Sequence, residues 1–327
     1  MIRSLLPRLR NASFTRWAYA LSISCIALVL SACASTVDED ASNSSGSRVP
    51  TPQAVVSIDP VEPTVTPEQV TSDEANADDD SRDITSASAV VAERLVPRVI
   101  AEFPHNPTNF TQGLLLDADG RMYESTGSFG PSATRLIEVD RATGETVREV
   151  QPTEDVWGEG LALIDDRFVQ LTWQARVAYI WDQNTFEKIG EYRYDTAGWG
   201  LCYDESEDRL VMSDGSEFLV FRDPDTFAPI GNPVLVVLDG TPLGNINELE
   251  CVNGRVWANV FLQDVIVEID AASGAVLTAV DASSLNQPRP FENNAVLNGI
   301  AFDPVTEHFL VTGKLWETLY EVEFVAP

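Results

Sequence analysis

The sequence predicts an all-β chain: a five-bladed β-propeller closed by an N-terminal strand, preceded by a signal peptide and a disordered linker. Three observations carry that expectation. Five segments of the C-terminal region align with one another, each breaks into short apolar runs bounded by turn residues, and no stretch there has the 3.6-residue apolar period of a helix. The division expected is 1–32 leader, 33–93 lipidated cysteine and linker, and 94–327 propeller.

The leader comes first. Residues 1–16 hold Arg3, Arg8, Arg10 and Arg16 and no acid, and Trp17 to Leu30 form an apolar run. Such a run is short for a membrane span and suits a signal-peptide core. It ends in Leu30-Ser31-Ala32-Cys33, which resembles the bacterial lipoprotein box, so Cys33 is the expected lipidation site and membrane anchor. Ala34 follows it rather than an Asp. By that resemblance the destination is the outer membrane of a bacterial envelope, facing the periplasm. Residues 34–92 contain no aromatic side chain and hold twelve acids against two arginines, a net charge of −10. A segment so charged and so poor in apolar surface cannot offset its ordering entropy, and it reads as a tether.

The repeats follow. They open TQGLLLD (111–117), GEGLALI (158–164), GWGLCYD (198–204), NELECVN (247–253) and LNGIAFD (297–303). With Gln112, Glu159, Trp199, Glu248 and Asn298 taken as equivalent, the intervals are 47, 40, 49 and 50 residues. A second run follows each opening, and in the first four a third run ends in Asp-x-x-Thr/Ser-Gly or Asp-x-x-Thr-Phe. These endings suit hairpin turns. Four short strands per repeat is the pattern of a propeller blade. The fifth repeat stops one strand short at Leu319–Phe324, and Arg98–Phe103 supplies a strand that would close the ring and remove an exposed edge. The first strand of each blade would then line the axis and gather its opening residues at one mouth.

Charge and counting exclude several functions. Lys and Arg total 21 against 51 Asp and Glu, a net charge of −30, and residues 93–327 carry −24 of it. Nucleic acid is not an expected partner, because binding phosphate needs clustered cations. An acid surface of this size suits cationic peptides or a salty habitat equally. His105 and His308 are the only histidines, so neither a multi-histidine zinc site nor a Ser-His-Asp triad is supported. Both are expected to be structural. Cys202 and Cys251 occupy equivalent places in the third and fourth repeats. A disulfide is permitted outside the cytoplasm, but inner strands of neighbouring blades are expected to lie too far apart, which leaves two buried thiols.

The strings NFTQGL, VWGEGLAL, QLTW, AGWGL, NELE, ANVF, VLNGIAF and VTGKLW, in that order over residues 98–324, resemble the glutaminyl-peptide cyclotransferases of the plant and bacterial type. The resemblance implies a five-bladed propeller that needs no catalytic zinc, leaving a structural ion in the central channel open. It implies that N-terminal glutamine of a peptide or protein closes to pyroglutamate with release of ammonia. Carried over from the motifs, Glu159 is the acid/base residue. Lys314 supports it or polarises the developing oxyanion, the alternative being a salt bridge at the rim. Phe110, Gln112, Trp173, Trp199, Asn247, Phe261 and Asn298 are candidate substrate contacts, Asn298 alternatively holding loops in place, as Glu248 does. Two positions depart from the family pattern: Phe261 stands where Trp is usual, and Trp157 where Phe is common. Two other readings remain open at this point, a propeller that binds peptides without turning them over and a metal-dependent lactonase using Glu159, Asn247 and Asn298. A monomer is expected.

Overall fold

The computed structural model describes residues 90–128, 134–285 and 295–327. The signal peptide, Cys33 and nearly all of the expected linker lie outside the described residues. The described residues are all-β, and the one helical element among them is a 3-10 turn at Ser283–Leu285. No described helix is long and apolar enough to cross a membrane.

Strand β1 spans Glu93–Pro104, one residue earlier than the expected boundary. Three antiparallel sheets of four consecutive strands follow. The first holds β2 (Thr111–Leu116), β3 (Met122–Thr126), β4 (Arg135–Val139) and β5 (Thr146–Val150). The second holds β6 (Gly158–Ile164), β7 (Arg167–Thr172), β8 (Val177–Asp182) and β9 (Lys188–Arg193). The third holds β10 (Leu201–Asp204), β11 (Arg209–Met212), β12 (Phe218–Arg222) and β13 (Pro229–Leu235). After a two-stranded hairpin, β14 (Val237–Leu238) and β15 (Thr241–Pro242), come β16 (Ile246–Val252), β17 (Arg255–Val260), β18 (Val265–Asp270) and β19 (Val276–Asp281). The chain ends with β20 (Leu297–Asp303), β21 (His308–Gly313) and β22 (Thr318–Val325). These last seven strands and β1 form one eight-stranded sheet in the order β16-β17-β18-β19-β1-β22-β21-β20. β1 sits in the middle, parallel to β19 and antiparallel to β22, as the short fifth repeat requires.

Burial grades along each sheet. β6 is buried almost throughout, whereas β9 is mostly exposed. The first strands β2, β6, β10, β16 and β20 contact one another in that cyclic order, β20 returning to β2. Apolar cores fill the spaces between successive sheets. Tyr123 and Leu136 meet Phe168 and Trp181 in one, and Met122 and Ile137 meet Leu310 and Leu319 in another, so the beginning and end of the chain share a core. The turns carry the chemistry read from the sequence. Asp140, Asp182, Asp223 and Asp270 each accept backbone N–H bonds from residues two and three further on. The residue after each Thr or Ser then adopts a left-handed conformation, which glycine takes without cost at Gly144 and Gly274. Phe186 and Phe227 adopt it as well, and both rings are buried in the core.

The first strands approach one another more closely than expected. A Cβ on Gly200 would lie 2.0 Å from the Asn247 carbonyl oxygen, and one on Gly160 would lie 2.5 Å from Leu201 N. Only glycine fits there. The two-thiol expectation for Cys202 and Cys251 fails for the same reason: β10 and β16 are so close that the Cα atoms stand 5.4 Å apart, and the cysteines form a disulfide.

Candidate active site

The glutamine, glutamate and tryptophan that open the first three repeats arrive together because the first strands begin at one end of the sheets and the second strands finish there. Phe110 directly precedes β2 and Gln112 lies within it. Trp157 precedes β6, which carries Glu159. Trp173 follows β7, Trp199 lies just before β10, Asn247 is on β16, Phe261 follows β17 and Lys314 follows β21. These nine side chains line one cavity of about 210 Å³. That is the space of roughly seven liquid waters, the scale of one polar side chain rather than of a folded partner.

The walls are aromatic. The Phe110 and Trp157 rings meet edge to face at 5.5 Å, Trp157 and Trp173 at 6.1 Å, and Trp199 and Phe261 at 5.5 Å. Gly215 makes room for the Trp199 indole, since a Cβ there would come within 2.6 Å of the ring. Its φ of 86° is a second reason for glycine at that position. Ser213 secures the floor. Its hydroxyl donates to the Asn247 carbonyl at 2.7 Å and accepts the Gly200 N–H at 2.8 Å.

Two ionisable groups face each other inside these walls. Glu159 and Lys314 are both nearly inaccessible, at 5% and 4%. Burial raises the Glu159 carboxyl well above the usual carboxylate range, and the Lys314 ammonium opposes part of that rise. Burial pushes Lys314 down to about 8, against the opposing pull of Glu159 and Glu248. Among the described residues no hydrogen bond reaches the Glu159 carboxyl. Lys314 Nζ donates to Gln112 Oε1 at 2.7 Å and lies 4.9 and 5.2 Å from the Phe110 and Phe261 ring centres. The rim salt bridge is therefore not its role. With its oxygen taken by Lys314, Gln112 keeps its amide N–H groups for another acceptor.

One candidate lies elsewhere. Asn298 does not line the cavity; it is fully buried, and its Nδ2 donates to the Thr111 carbonyl at 2.9 Å, tying β20 to β2. Glu248 stitches strands in the same way, accepting the N–H groups of Leu114 and Ile300. Trp157, the aromatic expected to keep a wall where the family commonly has Phe, stands in that wall. A wider cavity of about 560 Å³ opens at the other end of the first strands, beside Glu250 and the disulfide, and holds none of the candidate residues. Among the described residues no three His, Cys, Asp or Glu side chains are placed to hold a metal ion.

The glutamine cyclotransferase family model matches residues 73–324. The chain belongs to that family. It is 34% identical over 229 residues to the glutaminyl-peptide cyclotransferase of Arabidopsis thaliana, covering 69% of this chain and 70% of the relative. Its structure superposes on the crystal structure of Myxococcus xanthus glutaminyl cyclase with a TM-score of 0.65 and 38% identity, over 71% of this chain and 98% of that one. The nine pocket residues lie inside the stretch that the glutamine cyclotransferase model spans.

Proposed function

We propose that this pocket closes N-terminal glutamine of peptides and proteins to pyroglutamate with release of ammonia. The observation that carries the reading is a desolvated carboxyl, Glu159, enclosed by aromatic walls beside an ammonium and a glutamine amide, in a chain of this family. The substrate α-amine attacks its own γ-carboxamide carbon. A C–N bond forms, the carbonyl oxygen gains negative charge, and the bond to the amide nitrogen then breaks. Proximity is built into the substrate, so the protein supplies orientation, charge stabilisation and proton transfer. Glu159 takes a proton from the attacking amine and returns one to the leaving nitrogen, which departs as ammonia. A carboxyl whose proton affinity is raised toward working pH suits both halves of that exchange. Gln112, its oxygen held by Lys314, presents N–H donors to the developing oxyanion. Donors of this kind contribute about 3–4 kcal/mol. Asn247 takes the remaining polar groups of the substrate.

In this reading the five groups of four strands, with β1 completing the last, are blades of one propeller whose first strands surround the axis. The chain acts as a monomer and needs no catalytic zinc. Its tether and lipidated Cys33 place it on the bacterial envelope, facing the periplasm. The test is ammonia release from a Gln-initiated dipeptide by the full chain and by Glu159→Gln, each with and without EDTA. The expected result is turnover that resists EDTA and falls about 10²–10⁴-fold in the variant. A folded wild type that binds the dipeptide but releases no ammonia makes the pocket a binding site, and loss of activity to EDTA favours metal chemistry.

A further inference from the structure

Behind the pocket lies a buried polar cluster that the proposed chemistry does not use. Glu124, on β3, is fully inaccessible. Its carboxylate accepts Asn109 Nδ2 at 2.7 Å and Thr111 Oγ1 at 2.6 Å. His105 Nε2 stands 3.4 Å from the same carboxylate. Asn109 and Thr111 flank Phe110 on either side and lead directly into Gln112. The other face of the cluster reaches the loop that carries Lys314. His105 donates from Nδ1 to the Trp316 carbonyl at 2.7 Å and from its backbone N–H to Glu317 O at 2.9 Å, and Leu315 N donates to Asn109 O at 2.7 Å. Arg135 Nη2 donates to Asn109 Oδ1 at 2.6 Å and holds that amide in one orientation.

Two pocket segments, the loop 105–110 leading into β2 and the loop 314–317, are thus joined at their backs by His105 and Asn109, and Glu124 is the anion around which they close. At their fronts the same segments meet through Lys314 and Gln112. We propose that Glu124 and His105 are positioning residues of the active site, fixing Lys314 and Gln112 in register with each other. The inference rests on the cyclisation reading. It goes beyond that reading in assigning work to a histidine and a glutamate that touch no substrate. The physical case is the cost of a buried carboxylate: shut away from water that would donate to it, Glu124 must hold its donors in place or forfeit two charge-assisted hydrogen bonds and the His105 contact at once. The direction of both proton affinities agrees with a pair. Burial alone would raise Glu124 and lower His105, yet their mutual attraction and hydrogen bonds leave Glu124 lowered and His105 raised.

The experiment is a double-mutant cycle in the full chain. Glu124→Gln, Lys314→Met and the combination are assayed for kcat and KM on a Gln-initiated dipeptide, with thermal unfolding measured alongside. Thr111→Val removes a single donor and serves where Glu124→Gln fails to fold. If Glu124 acts through Lys314 and Gln112, Glu124→Gln or Thr111→Val lowers kcat about ten-fold with KM little changed. In the Lys314→Met background the same substitution then lowers kcat less than about two-fold. Equal losses in both backgrounds, or wild-type kcat in a folded variant of lowered Tm, overturn the inference and leave a structural cluster. A folded wild type without turnover is a different result: it refutes the cyclisation reading and this inference with it.

Discussion

Lys314→Met tests the electrostatics of the pocket by exchanging function for stability. A lysine in the unfolded chain keeps its proton up to about pH 10.5, whereas in the folded protein Lys314 holds it only up to about 8. The folded state therefore carries a penalty below pH 8, where both forms are protonated. That penalty fades as the pH rises from 8 to 10.5. At full extent the difference corresponds to about 3 kcal/mol. Between pH 7 and pH 10 it amounts to roughly 2–3 kcal/mol. Met carries no such penalty. The bond to Gln112 and the contacts with Phe110 and Phe261 are lost in the variant, so the quantity to follow is the change with pH rather than the absolute difference. Glu159 adds to it in the same direction. Without the ammonium its carboxyl is raised further, so the variant loses more stability than wild type as the pH climbs. Urea unfolding followed by tryptophan fluorescence at pH 7 and pH 10 measures this. Wild type should gain about 2–3 kcal/mol on the variant between the two conditions, while ammonia release by the variant falls to a slow residual rate at both. A stability difference that stays constant, or moves the other way, would refute the claim that Lys314 is held as a desolvated ammonium.

Three other outcomes follow from the geometry. Removing the disulfide with Cys202→Ser and Cys251→Ser reopens a loop of sequence separation 49, which costs about 4 kcal/mol in the chain-entropy account and should appear in denaturant midpoints without a change in KM. Glu250 is pushed up to about 8 by burial, with the Phe302 N–H opposing. Its folded form holds the proton more tightly than the unfolded one, so stability is lost as pH rises from about 4.5 to 8. Glu250→Gln should match wild type at pH 4 and exceed it in chemical unfolding at pH 8. Phe261→Trp restores an indole N–H beside Trp199 and Lys314 and should lower KM several-fold with little effect on kcat; an unchanged KM would show that the ring acts only as a wall.

Much of this was legible in the sequence because repetition makes register visible. TQGLLLD, GEGLALI, NELECVN and LNGIAFD each coincide with a first strand, since an apolar run between turn residues has little freedom to slip. Gln112, Glu159 and Trp199 were legible in the pocket for the same reason, whereas Phe110, Trp173, Asn247, Phe261 and Lys314 came from the resemblance to the family. What was missed depends on distance between elements. The sequence marks Cys202 and Cys251 as equivalent but does not state how closely their strands approach. The glycines in GEGL and GWGL held that information, since they stand where the neighbouring backbone presses in. Asn298 was equivalent to Glu159 by position, yet its amide turned to the Thr111 carbonyl, an obligation that only the ring of first strands creates. The β14–β15 hairpin had a signal in Asp239-Gly240 that went unread. His105 and Glu124 had none, for they meet only once β3 is folded behind the loop.

The place of β1 has a consequence for how the molecule comes into being. Val96 pairs with Val325 and Pro104 with Thr318. The strand that completes the last sheet is the first of the domain to be synthesised and the last to find its partner. Each of the first three sheets can form from neighbouring segments as they emerge, because its ladders are local. β1 must wait about 185 residues for β19, from Glu93 to Thr278, and more than two hundred for β22, while its own sequence offers an open edge to anything that passes. The acidic segment expected just before it is well suited to that interval, since a chain of like charges discourages the association that a bare strand invites.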